Sequence, residues 1–205
     1  MTKPGVSAVD QLAFRRAMGA FATGVTVITI QHGDHIHGMT ANAFTSVSLD
    51  PPLVLFCVAK KARMAGLIHQ APGFAINVLA ENQQVVSRQF AGSRKDDIER
   101  TVALHRGPIA PLIDGSLAAV SCMIAAIHEG GDHWIVVGRV VHVHEDGGAS
   151  MRQPLLFFRS RYCEIVEQVA VGRQGGESWS NDAIRVYHEE WSEGEAEQPD
   201  WRQPW

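Results

Sequence analysis

No run in this chain approaches the ~20 consecutive apolar residues of a membrane-spanning helix. The first ten residues, MTKPGVSAVD, carry none of the apolar core of a secretory leader. Basic residues do not dominate. With 18 Lys and Arg against 22 Asp and Glu the formal net charge is −4, so a clustered cationic footprint for nucleic acid is not expected. Cysteine is scarce. Cys57, Cys122 and Cys163 lie far apart among apolar neighbours, which fits buried free thiols in a reducing cytoplasm rather than a disulfide framework. No G-x-G-x-x-G follows a strand and no Walker loop is present, which argues against a Rossmann domain and a P-loop. The G-x-S-x-G elbow of the serine hydrolases is missing too. His32, His35 and His37 fall across a turn with no Cys or carboxylate cluster to complete a metal shell. His142 and His144 share one face of a strand, equally without partners. No metal site is expected, and the histidine turn reads as exposed.

What is present is a chain of 205 residues, long enough for one domain with a real core. Ser7 or Asp10 can cap a first helix carrying Phe14, Ala17, Met18 and Phe21 at helical spacing, with Gly24 as its stop. Val25 to Ile30 is β-branched and reads as a strand. After a turn at His32–His35 the chain returns through a small, hydroxyl-rich strip to Pro51-Pro52. Leu53 to Val58 reads as a buried strand, Lys60 to His69 as a short helix and Gly73 to Leu79 as a strand. Glu81 to Ala91 has helical character, with Val85, Val86, Phe90 and Ala91 inward and Gly92 as its stop. Ser93 to Arg106 is charged and reads as an exposed excursion, and Gly107 to Gly115 as a loop. Leu117–His128 and His133–His144 form two long strands about a Gly-Gly turn, and Leu155 to Val166 is a last strand. Strands outnumber helices, and helices do not follow every strand. The expected fold is mainly β, a closed or partly open barrel with peripheral helices, rather than a doubly wound sheet. A domain over 10–168 is followed by a tail over 169–205. That tail is acidic and holds Trp179, Trp191, Trp201 and Trp205; it reads as an extended segment packed on a partner subunit or on the barrel.

Three stretches carry chemistry. Gly38-Met39-Thr40-Ala41-Asn42-Ala43-Phe44-Thr45-Ser46 is small and almost uncharged, suited to backbone laid against a flat ligand with polar edges. On composition alone it fits an ordinary polar strand and turn equally well. Lys60, Lys61 and Arg63 follow a buried strand and open a helix, where a phosphate finds cations and free N–H groups. Read alone, that segment is a solvated helix start. The turn Gly130-Gly131-Asp132 delivers His133 to a barrel rim.

These segments in this order resemble the flavin reductase-like domain family. So do Gly24-Val25-Thr26-Val27, Phe74-Ala75-Ile76-Asn77-Val78-Leu79, Gly138-Arg139-Val140 and Pro154-Leu155-Leu156-Phe157-Phe158-Arg159-Ser160-Arg161-Tyr162. The family contains the small reductase components of two-component flavin monooxygenases, such as 4-hydroxyphenylacetate 3-monooxygenase. The resemblance covers roughly Phe14 to Val166. It implies an FMN-binding split β-barrel of Greek-key-like topology, working as a homodimer. It implies FMN or FAD as cofactor, NADH or NADPH as co-substrate, and a separate flavin-dependent monooxygenase as recipient of reduced flavin. It places Met39, Thr40, Ala41, Asn42, Thr45 and Ser46 along the flavin ring and ribityl chain. Ala59, Lys60, Arg63 and Met64 fall at the phosphate end, and Phe90 and Ala91 at a helix end touching the flavin. Gly131, Asp132 and His133 fall beside the nicotinamide, with His133 and Tyr162 at the reaction face. Two positions depart from the family pattern. Lys61-Ala62 replaces a common Ser-Ser/Thr, and Ser160 stands where Gly is usual. A reductase of a corrinoid or ferric complex, or a non-catalytic flavin carrier on the same barrel, remains an alternative. The basic substrate motifs of pyridoxamine-phosphate-oxidase-like enzymes are not evident.

Overall fold

A computed structural model describes residues 9–33, 35–92, 102–145 and 152–165, all within the unit Met1–Ile165. The tryptophan-bearing tail and most of the excursion after Gly92 lie outside the described residues. The protein is mainly β. Helix α1 (Gln11–Met18) is capped by Asp10, whose carboxylate accepts from Leu12 N–H at 3.1 Å and Ala13 N–H at 3.2 Å. It ends at Gly19 rather than at the expected Gly24, which instead pairs in the short strand β1 (Thr23–Gly24).

The body is a seven-stranded antiparallel sheet. Its strands are β2 (Thr26–His32), β3 (His35–Ala41), β4 (Phe44–Leu49), β5 (Pro52–Ala59), β6 (Gly73–Val78), β9 (Ala118–Gly130) and β10 (His133–Glu145), in the order β3-β2-β6-β9-β10-β5-β4. Between β6 and β9 lie the two-residue strands β7 (Leu104–His105) and β8 (Leu112–Ile113), which pair with each other. The expected exposed excursion thus ends in a paired strand, with Val102 buried just before it. After β10, the expected single last strand is a tight hairpin of β11 (Leu156–Phe158) and β12 (Arg161–Cys163). Arg159 and Ser160 form its turn in the left-handed region, with φ of 47° and 62°.

Both edge strands of the sheet, β3 and β4, are consecutive in the chain. Only Asn42 and Ala43 join them, so the two ends stand at most about 11 Å apart. The sheet is therefore rolled until its edges meet at one corner. Register shifts at Val137/Gly138 and between Val140 and His142 bend the long β9–β10 ribbon to suit that curvature. Inside the roll sit Ile28, Ile30, Val54, Phe56, Val58, Phe74, Ile76 and Val136, joined by Met64 and Ile68 of α2 (Arg63–Ile68). Strand β2 is buried on both faces, because Val27 packs outward with Leu79, Phe90, Val102, Ile113 and Leu155. Asn77 ties these layers together. Its amide donates to Val27 O at 3.0 Å and accepts from Ile113 N–H at 2.9 Å. Helix α3 (Gln84–Ala91) follows a 3-10 turn and buries Ser87 and Phe90. Val85 and Ala91, expected inward, face solvent.

Candidate functional site

The corner where the edges meet is hollow. A cleft of about 500 Å³ there is lined by Met18, Phe21, Thr23, Asn42, Ala43, Phe44, Thr45, Leu55, Cys57, Phe157 and the Arg159–Ser160 turn. The two-residue period of a strand explains its wall on β5. Val54, Phe56 and Val58 enter the core, so Leu55 and Cys57 face the other way, into the cleft. Asn42 Nδ2 donates to Thr23 Oγ1 at 3.3 Å, which holds the amide at the cleft mouth. Burial pushes the Cys57 thiol above its ordinary pKa, so it stays protonated and inert at neutral pH. All three cysteines are free, with Cys122 fully buried and its thiol pushed up to about 12 by desolvation.

Of the flavin-strip residues singled out from the sequence, Asn42 and Thr45 line this cleft. Ser46 is exposed on the same edge strand. The others are engaged within the protein. Met39 and Ala41 pack against the core, and Thr40 points the opposite way, donating from Oγ1 to Ser87 O at 2.6 Å. Ser87 Oγ in turn lies 2.9 Å from Tyr162 Oη. A chain of contacts thus runs from β3 through α3 to β12. Tyr162 also packs edge-on against Phe157, a wall of the cleft, at 5.4 Å between ring centroids. Phe90 is buried, and its ring fills the place where a side chain at Gly38 would stand; a Cβ there would lie 2.3 Å from Phe90 Cε1. Ala91 closes α3 in solvent, and Met64 is a core residue.

The second group converges around the end of β5. Ala59 pairs with His133 across β5 and β10, and Lys60 N–H donates to Asp132 O at 2.9 Å. The β9–β10 turn is Gly131-Asp132, with Gly131 at φ 70°, so the hairpin needs one glycine rather than two. Lys60 Nζ lies 3.0 Å from Glu129 Oε1 and 4.6 Å from the Trp134 ring centroid. Its ammonium is therefore oriented by β9 and β10, while Arg63 stands exposed at the start of α2. His133 Nδ1 lies 2.7 Å from Asp132 Oδ1. The hydrogen bond and charge of His133, with lesser help from Lys61, hold the Asp132 carboxyl below the usual carboxylate range. An ionised carboxylate only accepts, so Nδ1 carries the proton and Nε2 is left for another partner.

Reading the sequence alone missed Ser87, Thr23, Phe157 and Trp134. Ser87 sits among better apolar candidates in α3, and the others belong to elements whose meeting depends on the roll of the sheet. His37 is buried, in contrast to the exposed histidine turn that the sequence predicts. Among the described residues no group of three or more His, Cys, Asp and Glu stands ready to hold a metal ion, and no helix is long and apolar enough to cross a membrane.

Comparison with known proteins agrees with this architecture. The NADH-dependent flavin reductase of a Rhodococcus species is 41% identical over 157 residues, 75% of this chain and 86% of that protein. The reductase component of 4-hydroxyphenylacetate 3-monooxygenase from Thermus thermophilus is 40% identical over 156 residues, 75% of this chain and 96% of that one. Among solved structures, the NADH:FAD oxidoreductase SgcE6 of Streptomyces globisporus, in complex with NAD and FAD fragments, superposes with a TM-score of 0.72. It does so at 40% identity, over 80% of this chain and 99% of its own. A family model described as "Flavin reductase like domain" matches residues 18–166, and the chain belongs to that family.

Proposed function

We propose that this protein is an NAD(P)H-dependent flavin reductase that supplies reduced FMN or FAD to a separate flavin-dependent monooxygenase. The observation that carries the reading is the corner cleft. Its walls, Phe44, Leu55 and Phe157, are apolar and suit the faces of a planar ring. Its rim offers Asn42 and Thr45, and β4 is an edge strand whose outer N–H and C=O groups are unpaired within the sheet. Those are the donors and acceptors that the polar edge of a flavin requires, so the residues fit the group. A bound flavin would supply the redox chemistry, accepting a hydride from C4 of the nicotinamide at its N5.

The chain's own residues bind and aim. Asn42, Thr45 and Ser46 hold the polar ring edge. Met39, Thr40 and Ala41 contribute backbone and shape rather than free side chains. Lys60 and Arg63 serve the phosphate end, with Ala59 and the start of α2 at Met64 as the backbone beside them. Gly131 and Asp132 carry His133, whose free Nε2 faces the dinucleotide. Tyr162 backs the Phe157 wall, while Phe90 and Ala91 close the α3 side. No general base is needed for hydride transfer, so proximity and alignment are the protein's contribution. The family reading extends further, to a split β-barrel domain over residues 10–168, a homodimer and a cytoplasmic setting.

The test is steady-state NADH oxidation with FMN, FAD and riboflavin added separately. Oxidation that depends on free flavin is expected. The double variant Asn42→Ala/Thr45→Val should raise KM about tenfold for each flavin. No NADH oxidation with any flavin would overturn the reading.

A further inference from the structure

We propose that Arg15, Arg16 and Arg159 form an anion subsite for the phosphate groups of a nucleotide whose ring lies in the adjoining corner cleft. The inference rests on the ring-site reading above. A second cleft of about 470 Å³ is lined by Leu12, Arg15, Arg16, Gly19, Ala20, Arg159 and Ser160. It shares Gly19, Arg159 and Ser160 with the corner cleft, so the two are continuous. Its lining holds three guanidinium groups and no carboxylate. Among the described residues none of the three arginines makes a side-chain hydrogen bond or ion pair. The carbonyl end of α1 offsets part of the repulsion between Arg15 and Arg16, but Arg159 comes from a different element.

The placement of Arg159 is held by the backbone. Its N–H donates to Gly19 O at 2.9 Å, docking the β11–β12 turn on the end of α1. Both turn residues are non-glycine and left-handed, a conformation that L side chains rarely adopt. The Arg159 guanidinium lies 5.1 Å from the Phe158 ring centroid, which steadies it beside the cleft. Three unpaired guanidinium forks around one hollow match the oxygens of a phosphate or diphosphate better than any neutral ligand. Lys60 follows Ala59 at the end of β5 and Arg63 opens α2, and neither lines this second cleft, so the three arginines are a cation set of their own. The shared chemistry is a phosphate ester, borne either by the flavin nucleotide or by the nicotinamide dinucleotide.

The test compares dissociation constants for riboflavin, FMN and FAD, read from quenching of flavin fluorescence, and KM values for the same flavins and NADH, in the wild-type protein and in Arg15→Gln, Arg16→Gln, Arg159→Gln and the triple variant. Riboflavin carries the ring without phosphate. In the triple variant we expect KM to rise tenfold or more for a phosphate-bearing ligand and to stay within twofold for riboflavin. A rise for FAD, with or without FMN, places the flavin's phosphates in the subsite. A rise for NADH with every flavin places the nicotinamide dinucleotide there. If every KM stays within twofold, or riboflavin rises as much as the rest, the proposal is overturned. Should the triple variant fail to fold, the single variants and the salt dependence of the wild type decide. Added salt must raise the same KM while sparing riboflavin. Failure of the ring-site reading looks different: Asn42→Ala/Thr45→Val would then leave the riboflavin KM unchanged.

Discussion

His133 and Asp132 show what single side chains contribute. The carboxylate is exposed, yet its histidine neighbour keeps it ionised well into acid, and it fixes the imidazole proton on Nδ1. A histidine so arranged presents one nitrogen in a fixed direction. It is a positioning device, not a strong acid or base. His133→Ala is therefore expected to raise KM for NADH about tenfold, a loss of ~1.4 kcal/mol of binding, with kcat reduced by less than threefold. Stopped-flow reduction at saturating NADH separates the two effects, and a collapsed kcat with unchanged KM would refute the role. Asp132→Asn should give a smaller shift in the same direction, because an amide constrains the imidazole tautomer less than a carboxylate does. The Gly-Asp-His run was legible in sequence because a tight turn needs a residue tolerant of positive φ. Its nearness to Lys60 was not, since it follows from the pairing of β10 with β5, strands more than seventy residues apart.

Between elements, the contact of β3 with α3 is the clearest constraint. The Phe90 ring occupies the volume above Gly38, and an alanine methyl there would lie 2.3 Å from a ring carbon. Either the edge strand or the helix has to shift. Gly38→Ala is expected to destabilise the protein by about 1–3 kcal/mol, as overpacking does. It should also weaken flavin binding, because Thr40 lies further along the same strand and Asn42 follows directly after its end. Urea denaturation of Gly38→Ala, Phe90→Leu and the double variant checks the mechanism. The two changes should be non-additive, with the smaller ring space relieving the alanine. The strip's glycine and hydroxyls marked a special segment in the sequence, but not the cause. Gly38 is required by a phenylalanine fifty-two positions later, and Thr40 spends its hydroxyl on α3 rather than on a ligand. The cap and period of α1 are legible in the sequence, but its boundary is not. Gly19 and Gly24 both suit a helix end, and only the docking of the β11–β12 turn on Gly19 decides between them.

For the whole molecule, two facts bear on assembly. The rolled sheet puts the corner cleft beside α1, and α1 buries none of its residues. Val9, Leu12, Phe14, Met18 and Phe21 are each more than half exposed, on or beside one short helix. Scattered surface apolar residues are ordinary, but Phe14 and Met18 share one face of α1, with Phe21 just beyond its end, and exposed apolar groups placed in this way mark an interface. The amphipathic period that identified the helix in the sequence is usually the mark of packing on a chain's own core. Among the described residues no core face receives it, and a second copy of the chain, related by a two-fold axis, would. Such a contact would also wall the corner cleft from outside, since Met18 and Phe21 belong to both surfaces. The wild-type protein is therefore expected to sediment at twice the chain mass at micromolar concentration. Phe14→Glu, which places a charge within the patch but outside the cleft lining, should raise the dimer dissociation constant at least tenfold, about 1.4 kcal/mol. Flavin KM should rise in parallel as dimer is lost, because each cleft would lose its outer wall. A wild-type protein that sediments as a monomer, or a Phe14→Glu dimer as tight as the wild type, would show that α1 is not the joining surface.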